Sequence, residues 1–280
     1  MAVPAFPLVQ RLDKRYCSES NYERRLKMFA LERQKLILDL LNTEGSVMVS
    51  KLSTKLGVTE ETVRRDLEKM EAKELLRRTH GGALPMEDGS YELSLEKRKV
   101  LNVETKQALA SKAVQYIASG DTIFLDASTT TFYMAKEIKN MKNVTVITNS
   151  IRVINELVGA DGVKVIAVGG IVSNNQSLVG AMTENYISEN YFADKMFFSS
   201  KGIGSNCIIL EGNEQECFIK QRMIKNSRVT YYLCDKSKIG RVGYMRLSTF
   251  EDVDFLVTDA EIEGNLKDTL DEFNVEIIRI

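Results

Sequence analysis

Residues 32–83 read ERQKLILDLLNTEGSVMVSKLSTKLGVTEETVRRDLEKMEAKELLRRTHGGA. This stretch predicts three short helices followed by a basic, glycine-ended hairpin. Apolar residues recur at helical spacing over 31–41 and 49–56, and a third helix begins at Thr59. Residues 77–83 begin with basic residues and end with two glycines and an alanine, so they carry few apolar side chains. This layout is typical of a small domain that places one helix in the major groove of DNA.

The third helix has the features of a recognition helix. Thr59 is a predicted N-cap, and two acidic residues follow it where the helix dipole favours negative charge. Val63 and Leu67 are four residues apart and face inwards. The side chains left on or near the outer face are those of Thr59, Glu60, Thr62, Arg64 and Arg65. Because outward arginines bind phosphates or guanine, these five residues are predicted to contact DNA.

The second helix and the hairpin supply further candidate DNA contacts. Ser50 lies near the start of the second helix, where it can act as a cap, and Lys51 points outwards. Arg77, Arg78 and His80 lie in the hairpin, beside the backbone of a bound duplex. For His80 a second interpretation stays open, in which the ring bonds to its own turn.

The remainder of the chain alternates β-branched runs with helical segments. Seven runs predict strands: Thr122–Asp126, Val144–Thr148, Val163–Val168, Lys195–Ser199, Val229–Cys234, Asp254–Thr258 and Val275–Ile278. A charged stretch over 94–117 predicts helix before the first strand. The alternation predicts an α/β fold with a mostly parallel sheet covered by helices.

A polar loop directly follows the first of these strands. Residues 126–131 read DASTTT and separate the strand from a helix. Hydroxyl groups and backbone N–H groups at a helix start can bind an anion, because the helix dipole favours negative charge there. The loop is therefore a candidate phosphate site, and an ordinary serine or threonine N-cap is the alternative.

Other polar loops follow predicted strands at the same edge of the sheet. They lie at 148–150, 169–170 and 177–180, and Lys238 follows the strand that ends at Cys234. Ligands of open α/β sheets bind beyond the carboxyl ends of the strands, so these loops are expected to converge on a small hydroxylated ligand. For Lys238, a solvated surface position is an equal alternative.

Several motifs resemble those of a known family. With Gly57-Val58 as the turn, TVRRDL at 62–67 and RTHGGA at 78–83 resemble a DeoR-type winged helix-turn-helix. LDASTTT, VITNS, VGG, SLVG and LCDKSKIG resemble the effector domain of the same regulators. The resemblance implies an effector fold similar to ribose-5-phosphate isomerase. It also implies a repressor of sugar metabolism genes that binds operator DNA and responds to a phosphorylated sugar.

The resemblance further implies which residues bind the effector. The implied anion loop is formed by Asp126, Ser128, Thr129 and Thr130, the implied lining by Asn149 and Gly170, and the implied phosphate partner is Lys238.

Three positions depart from the family pattern. Glu74 and Ser128 stand where glycine is frequent, and Lys201 stands where an aspartate is usual. An isomerase would need that carboxylate as a general base, so Lys201 favours ligand binding over catalysis, and no catalytic residue is predicted. Lys201 is either a phosphate partner or a surface lysine. Two alternatives to the sensor remain: an isomerase-like enzyme with a DNA-binding module, and a scaffold that only joins DNA-binding domains.

The length of 280 residues suggests more than one domain. We expect a winged helix-turn-helix over 28–84, a linker and connecting helix over 85–105, and an effector-binding and oligomerisation domain over 106–280. Residues 1–27 are predicted to be a disordered extension, with a basic arm on DNA as the alternative.

Up to residue 83 the chain has 16 basic and 12 acidic residues, whereas the rest has a net charge of −5. The positive charge thus lies on the part expected to meet DNA.

Cysteine and histidine usage predicts no metal site, disulfide or cofactor. Four cysteines lack CxxC spacing, and His80 is the only histidine. No apolar run approaches the ~20 residues that span a membrane. We therefore expect a cytoplasmic protein with no membrane partner.

The protein is expected to form a dimer or tetramer, because one winged domain covers only a short DNA site.

Overall fold

The computed structural model describes residues 30–44, 46–73, 75–84, 95–241 and 243–280. The chain divides into two compact units, Met1–Glu87 and Asp88–Ile280. The predicted extension over 1–27, the departure at Glu74 and residues 85–94 of the predicted linker lie outside the described residues.

The first unit contains three helices and a small antiparallel sheet. Its elements are α1 (Ala30–Glu44), β1 (Val47–Met48), α2 (Val49–Leu56), α3 (Glu60–Glu71), β2 (Arg77–Thr79) and β3 (Gly82–Leu84). The sheet has the order β1-β3-β2. All three predicted helices and the hairpin are therefore present.

The apolar spacing of the three helices buries one face of each. Ile37, Leu52 and Leu67 are almost completely buried. An ion pair joins α1 to α3, since the Arg33 guanidinium contacts both carboxylate oxygens of Asp66 at 2.7 and 3.2 Å. Because the helices pack through these faces, the opposite face of α3 stays in solvent.

The start of α2 differs from the prediction. Ser50 lies inside the helix, and the N-cap position is Met48, which makes no side-chain capping hydrogen bond. The helix instead follows directly on strand β1, so the chain enters it from an extended backbone. At the other end, Gly57 has a φ of 66° and supplies the left-handed residue that ends α2.

The second unit is built on a parallel sheet. In chain order its elements are α4 (Leu95–Val100), α5 (Val103–Val114), β4 (Thr122–Leu125), α6 (Thr129–Ile138), β5 (Val144–Thr148), α7 (Ile151–Leu157), β6 (Val163–Ala167), β7 (Ile171–Val172), β8 (Leu178–Val179), α8 (Ala181–Asn190), β9 (Ala193–Phe198), β10 (Gly202–Ile203), β11 (Ile209–Glu211), α9 (Glu214–Lys225), β12 (Ser227–Leu233), β13 (Met245–Ser248), β14 (Phe255–Thr258), α10 (Gly264–Glu272) and β15 (Glu276–Arg279). Short 3₁₀ helices lie at Lys236–Lys238 and Phe250–Asp252.

Seven strands form the main sheet, in the order β15-β14-β12-β9-β4-β5-β6. Every pairing in it is parallel. The seven predicted runs are these seven strands, which confirms the predicted fold class. Hairpin β7–β8 and the sheet β10-β11-β13 were not predicted, because isolated strands of two to four residues give no clear periodic signal.

Helices cover both faces of the main sheet. Phe197 packs in one apolar cluster with residues of α5, α6 and α7, while its neighbour Phe198 packs in the other with residues of α8, α9 and α10. Adjacent side chains of a strand point to opposite faces, so the apolar runs of the central strands are largely buried on both sides.

The charged stretch over 94–117 forms two helices, α4 and α5, where the sequence indicated continuous helix. Asn102 has a φ of 51° and interrupts the helical backbone. Asparagine tolerates this left-handed conformation better than most residues do. The break sets the carboxyl end of α4 beside the start of α5.

Gly82 in β3 should be irreplaceable, whereas its neighbour Gly81 should not. A Cβ at Gly82 would lie 1.9 Å from the carbonyl oxygen of Val47, while one at Gly81 would meet nothing within 4 Å. Gly82→Ala is expected to destabilise the first unit by roughly 2 kcal/mol or more, because backbone of the paired strand must move. Gly81→Ala is the matched control, expected within about 0.5 kcal/mol of the wild type. Hydrogen exchange of residues 46–84 would measure both, and equal protection in the two variants would contradict the clash.

Candidate functional site

The predicted DNA-contacting side chains lie on one small unit and are accessible. Nine of the ten are exposed, and Thr62 is half-buried. Thr59 caps α3, with its hydroxyl accepting from the backbone N–H of Thr62 at 3.2 Å. The hairpin residues are Arg77, Arg78 and His80, and the backbone N–H of Arg78 donates to Glu71 at 2.9 Å. Helix α3 therefore presents a capped amino end and an outward basic face.

Each arginine of this face is paired with a glutamate one turn earlier. Arg64 lies 2.7 Å from a carboxylate oxygen of Glu60, and Arg65 lies 3.2 Å from one of Glu61. Exposed pairs of this kind contribute only about 0.3–0.5 kcal/mol, so a phosphate or a base edge can replace the glutamate readily.

In the second unit, a cleft lies at the carboxyl edge of the main sheet. It encloses a volume of about 80 Å³, and Ser128 and Thr129 line it at the start of α6. Six basic residues line it: Arg98, Lys106, Lys201, Lys220, Lys238 and Arg241. The acidic residues of its lining are Glu211 and Asp235. An excess of positive charge beside the amino end of a helix favours an anionic ligand.

Asp126 organises the floor of this cleft. It is completely buried, and its carboxylate accepts from the backbone N–H of Ser128 at 3.0 Å, from the Thr131 hydroxyl at 2.8 Å and from the backbone N–H of Ser199 at 3.1 Å. The Ser128 hydroxyl in turn caps α6 by accepting from the N–H of Thr131. The side chain of Asp126 thus holds the loop in shape.

Lys220 neutralises this buried carboxylate. Its ammonium lies 3.3 Å from Asp126 and 2.5 Å from Glu211, and donates to the carbonyl oxygen of Ser199 at 2.8 Å. Burial alone would lower the pKa of Lys220, but Glu211 and Asp126 outweigh it and raise that pKa. Lys220 is therefore charged, and it joins the ends of β4, β9 and β11.

A second cation, Lys238, bonds to the same residue, Ser199. The Lys238 ammonium donates to the hydroxyl of Ser199 at 2.5 Å. Burial opposes ionisation of Asp235 nearby, but Lys238 and the hydrogen bonds from Ser237 prevail and lower its pKa. Ser199, Asp235 and Lys238 consequently form one polar wall.

The structure brings half of the eight predicted effector residues to the cleft lining. Ser128, Thr129, Lys201 and Lys238 line it. Asp126 lies beneath it, as described above. Thr130 and Asn149 are buried behind the loop, and the Thr130 hydroxyl and the Asn149 amide oxygen have no hydrogen-bond partner among the described residues.

Gly170 has a packing role. Its φ is 128°, and a Cβ there would lie 2.0 Å from the Thr183 hydroxyl. Gly170 therefore lets the hairpin that carries it approach α8 closely. Its predicted contact with an effector stays a prediction.

Sequence reasoning missed four of the basic residues in the cleft. Arg98 and Lys106 lie in helices that precede the first strand of the sheet in sequence, and Lys220 is in the middle of α9. Arg241 follows Lys238 closely, and its guanidinium donates to the carbonyl oxygen of Ser237 at 2.5 Å. Only Arg241 had a usable signal, its proximity to the DKSK motif.

The described ranges also bear on metal sites, cysteines and membrane spans. No group of three or more His, Cys, Asp or Glu side chains there could hold a metal ion. Cys207, Cys217 and Cys234 are buried free thiols, and Cys17 lies outside the described residues. Among the described helices, none has the length and apolar character needed to span a membrane.

Comparison with known families matches both units. The family model described as DeoR C terminal sensor domain matches residues 101–260, and the DeoR-like helix-turn-helix domain matches residues 33–88. The chain belongs to the DeoR family. The regulator YulB of Bacillus subtilis is 37% identical to it over 254 residues, which are 90% of this chain and 98% of YulB.

Two further comparisons concern a regulator and an enzyme. The glycerol-3-phosphate regulon repressor of Escherichia coli K12 is 29% identical over 88% of this chain and 97% of its own. Ribose 5-phosphate isomerase A of Methanocaldococcus jannaschii is only 16% identical, with a TM-score of 0.38 over 49% of this chain and 55% of its own. The matched full-length relatives are named as transcriptional regulators and not as enzymes, and this DeoR-family protein is a DNA-binding transcriptional regulator.

Removal of the buried ammonium should destabilise the second unit. Lys220→Met leaves Asp126 and Glu211 as buried carboxylates without their cation, and we expect a loss of about 3–5 kcal/mol in the free energy of unfolding. Lys225→Met, at an exposed position in the last turn of the same helix, is the matched control. Urea unfolding followed by circular dichroism measures both. A loss below about 1 kcal/mol for Lys220→Met would show that the network is not needed for stability.

Proposed function

We propose that this DeoR-family regulator represses genes of sugar metabolism and is controlled by a phosphorylated sugar bound in the second unit. The observation that carries the proposal is the basic cleft at the amino end of α6. Operator DNA is bound by α3 and by the hairpin of the first unit.

The exposed face of α3 suits a major groove. Thr59, Glu60 and Thr62 lie at its amino end, where side chains of a recognition helix meet base edges. Arg64 and Arg65 follow on the same exposed face and bind phosphate or guanine after leaving their glutamates. Ser50, Lys51 and the hairpin residues Arg77, Arg78 and His80 supply contacts to the backbone.

The cleft suits the phosphate group of the effector. Ser128 and Thr129 offer hydroxyl donors at the amino end of α6, and Lys201 and Lys238 supply positive charge. A phosphate dianion placed there gains charge-assisted hydrogen bonds and the favourable end of the helix dipole. Asp126 acts as the residue that holds the loop, through its bond to the N–H of Ser128.

Buried polar atoms near the loop suit the hydroxyl groups of a sugar. The Thr130 hydroxyl and the Asn149 amide oxygen are buried without a hydrogen-bond partner among the described residues. Such groups nearly always have a partner in folded proteins, so a hydroxylated ligand that reaches them gains hydrogen bonds. A phosphorylated small molecule also gives its name to the regulon of the Escherichia coli relative.

The regulator acts as a dimer or tetramer. One winged domain recognises a short DNA site, and joining two of them raises the effective concentration of the second at an adjacent half-site. A second unit that only joins the winged domains is the competing hypothesis. That hypothesis leaves the excess of basic side chains in the cleft without a purpose.

Operator binding tests the whole proposal. A DNA fragment from upstream of the protein's own gene should give a shifted band that one compound in a panel of sugar phosphates abolishes. Lys238→Met should retain the shift and lose the response, whereas Lys236→Met, an exposed lysine of the same short 3₁₀ helix, should keep both. A shift that no compound changes would favour the scaffold, and a compound that strengthens the shift and raises transcription would indicate an activator.

The two arginines of α3 should contribute separately to affinity. Arg64→Ala or Arg65→Ala should weaken operator binding by about 1–3 kcal/mol where the side chain reads guanine. Where the arginine binds only phosphate, its replacement by alanine should weaken binding to operator and to random DNA equally. Gel-shift titrations on both DNAs at two salt concentrations distinguish these cases. Unchanged affinity in both variants would remove α3 from the interface.

A further inference from the structure

Lys106 joins the cleft to the first helix of the second unit. It lies in α5, is 4% exposed and lines the cleft. Its ammonium donates to the carbonyl oxygens of Arg98 and Leu101, both at 2.6 Å. These carbonyls belong to the last turn of α4 and to the residue after it, so Lys106 caps the carboxyl end of α4.

A protonated Lys106 has one donor more than these two carbonyls require. An ammonium group has three N–H donors, whereas a neutral amine has two. Since Lys106 lines the cleft, its third donor can reach an anion bound there while the other two stay on α4. A single side chain would then hold the ligand and the helix together.

The turn between α4 and α5 is also tied to the segment that carries Asp235 and Lys238. The Asn102 side-chain amide donates to the carboxylate of Asp235 at 3.2 Å and to the hydroxyl of Ser237 at 2.8 Å. These residues flank Lys236 in the segment that continues to Lys238. Both ends of the turn are therefore fixed by groups that border the anion site.

The position of α4 in the chain gives this link a consequence. Helix α4 begins at Leu95, and the described part of the DNA-binding unit ends at Leu84. Helix α4 is therefore the first described element of the second unit, and it is the one nearest in sequence to the DNA-binding unit.

We propose that Lys106 is the coupling residue of the sensor: it binds an anion in the cleft and the carboxyl end of α4 at once, so that an occupied cleft fixes α4. This inference rests on the proposed function, because it takes the ligand of the cleft to be an anion.

The surroundings of Lys106 make the coupling sensitive to pH. Burial is the main cause that lowers its pKa to about 7, and Lys238 adds to the effect. Arg98 on α4 and Arg152 on α7 also lower that pKa, while Asp235 raises it. A bound anion favours the charged ammonium, so binding takes up a proton above pH 7. Affinity is therefore highest below pH 7 and falls as the pH rises through that value.

Ionisation of Glu216 could also make the affinity for an anion fall as the pH rises. Burial raises its pKa to about 7, and its carboxylate accepts from the Ser177 hydroxyl at 2.6 Å. Its ionisation as the pH rises would also weaken binding of an anion. Glu216→Gln removes that charge and leaves Lys106 unchanged.

Sulfate is a suitable probe because it stays a dianion throughout the relevant range, unlike phosphate. Titration calorimetry of the full chain with sulfate should give an affinity that falls roughly tenfold between pH 6.5 and 8.5. Lys106→Met should remove this dependence, while Glu216→Gln and Lys112→Met should retain it. Lys112 lies on the same helix as Lys106, and it is not among the residues that line the cleft.

Hydrogen exchange supplies a second readout. Sulfate should increase protection of residues 95–106 in the wild type and not in Lys106→Met. The wild-type results at two pH values test the proposal even where that variant folds poorly. A pH-independent affinity, a dependence lost in Glu216→Gln but kept in Lys106→Met, or unchanged protection of 95–106 would each overturn the coupling alone. No sulfate binding at either pH would overturn the anion site and the coupling together.

Discussion

The second unit depends on one buried ammonium group. Lys220 touches Asp126 after β4, the carbonyl of Ser199 after β9 and Glu211 at the end of β11. Without a cation, two carboxylates with almost no exposure would have to lose their charge or draw water inwards. Because Asp126 also accepts from the backbone N–H of Ser128, the loop at the start of α6 is linked through that carboxylate to Lys220. The cleft is thus a product of buried electrostatics as much as of strand order.

The sheet could be predicted because its signal is local and repeated. Seven runs rich in β-branched and other apolar residues form the strands, and the central runs are largely buried on both faces; this pattern survives in one sequence without any knowledge of the partners. The DASTTT loop could be placed for the same reason, since it lies between a clear strand and a clear helix. Strands β10, β11 and β13 could not, because their few residues pair only through tertiary structure.

The missed residues of the cleft share one physical cause. A lysine within a helix normally points to solvent, and Lys220 lies four residues after Glu216, a spacing that indicates a surface ion pair. In the structure both side chains are buried, and Lys220 is compensated by Glu211 and by Asp126, which is distant in sequence. The role of Lys106 could not be predicted either. Its carbonyl partners become available through the helix break at Asn102, and the helical pattern of the sequence does not indicate that break. Charge partners across long sequence separations are what a single sequence does not display.

The glutamates of α3 have a consequence for how the protein finds its site. Glu60 and Glu61 are tethered next to Arg64 and Arg65, so each behaves as a built-in phosphate mimic at high local concentration. In the proposed DNA complex the arginines leave these glutamates to contact DNA, and a random sequence offers no base contacts in return. At about 0.3–0.5 kcal/mol for each pair, the two glutamates together lower the affinity of this face for random DNA by no more than a few fold. Their effect is therefore a small bias against contacts that offer phosphate alone.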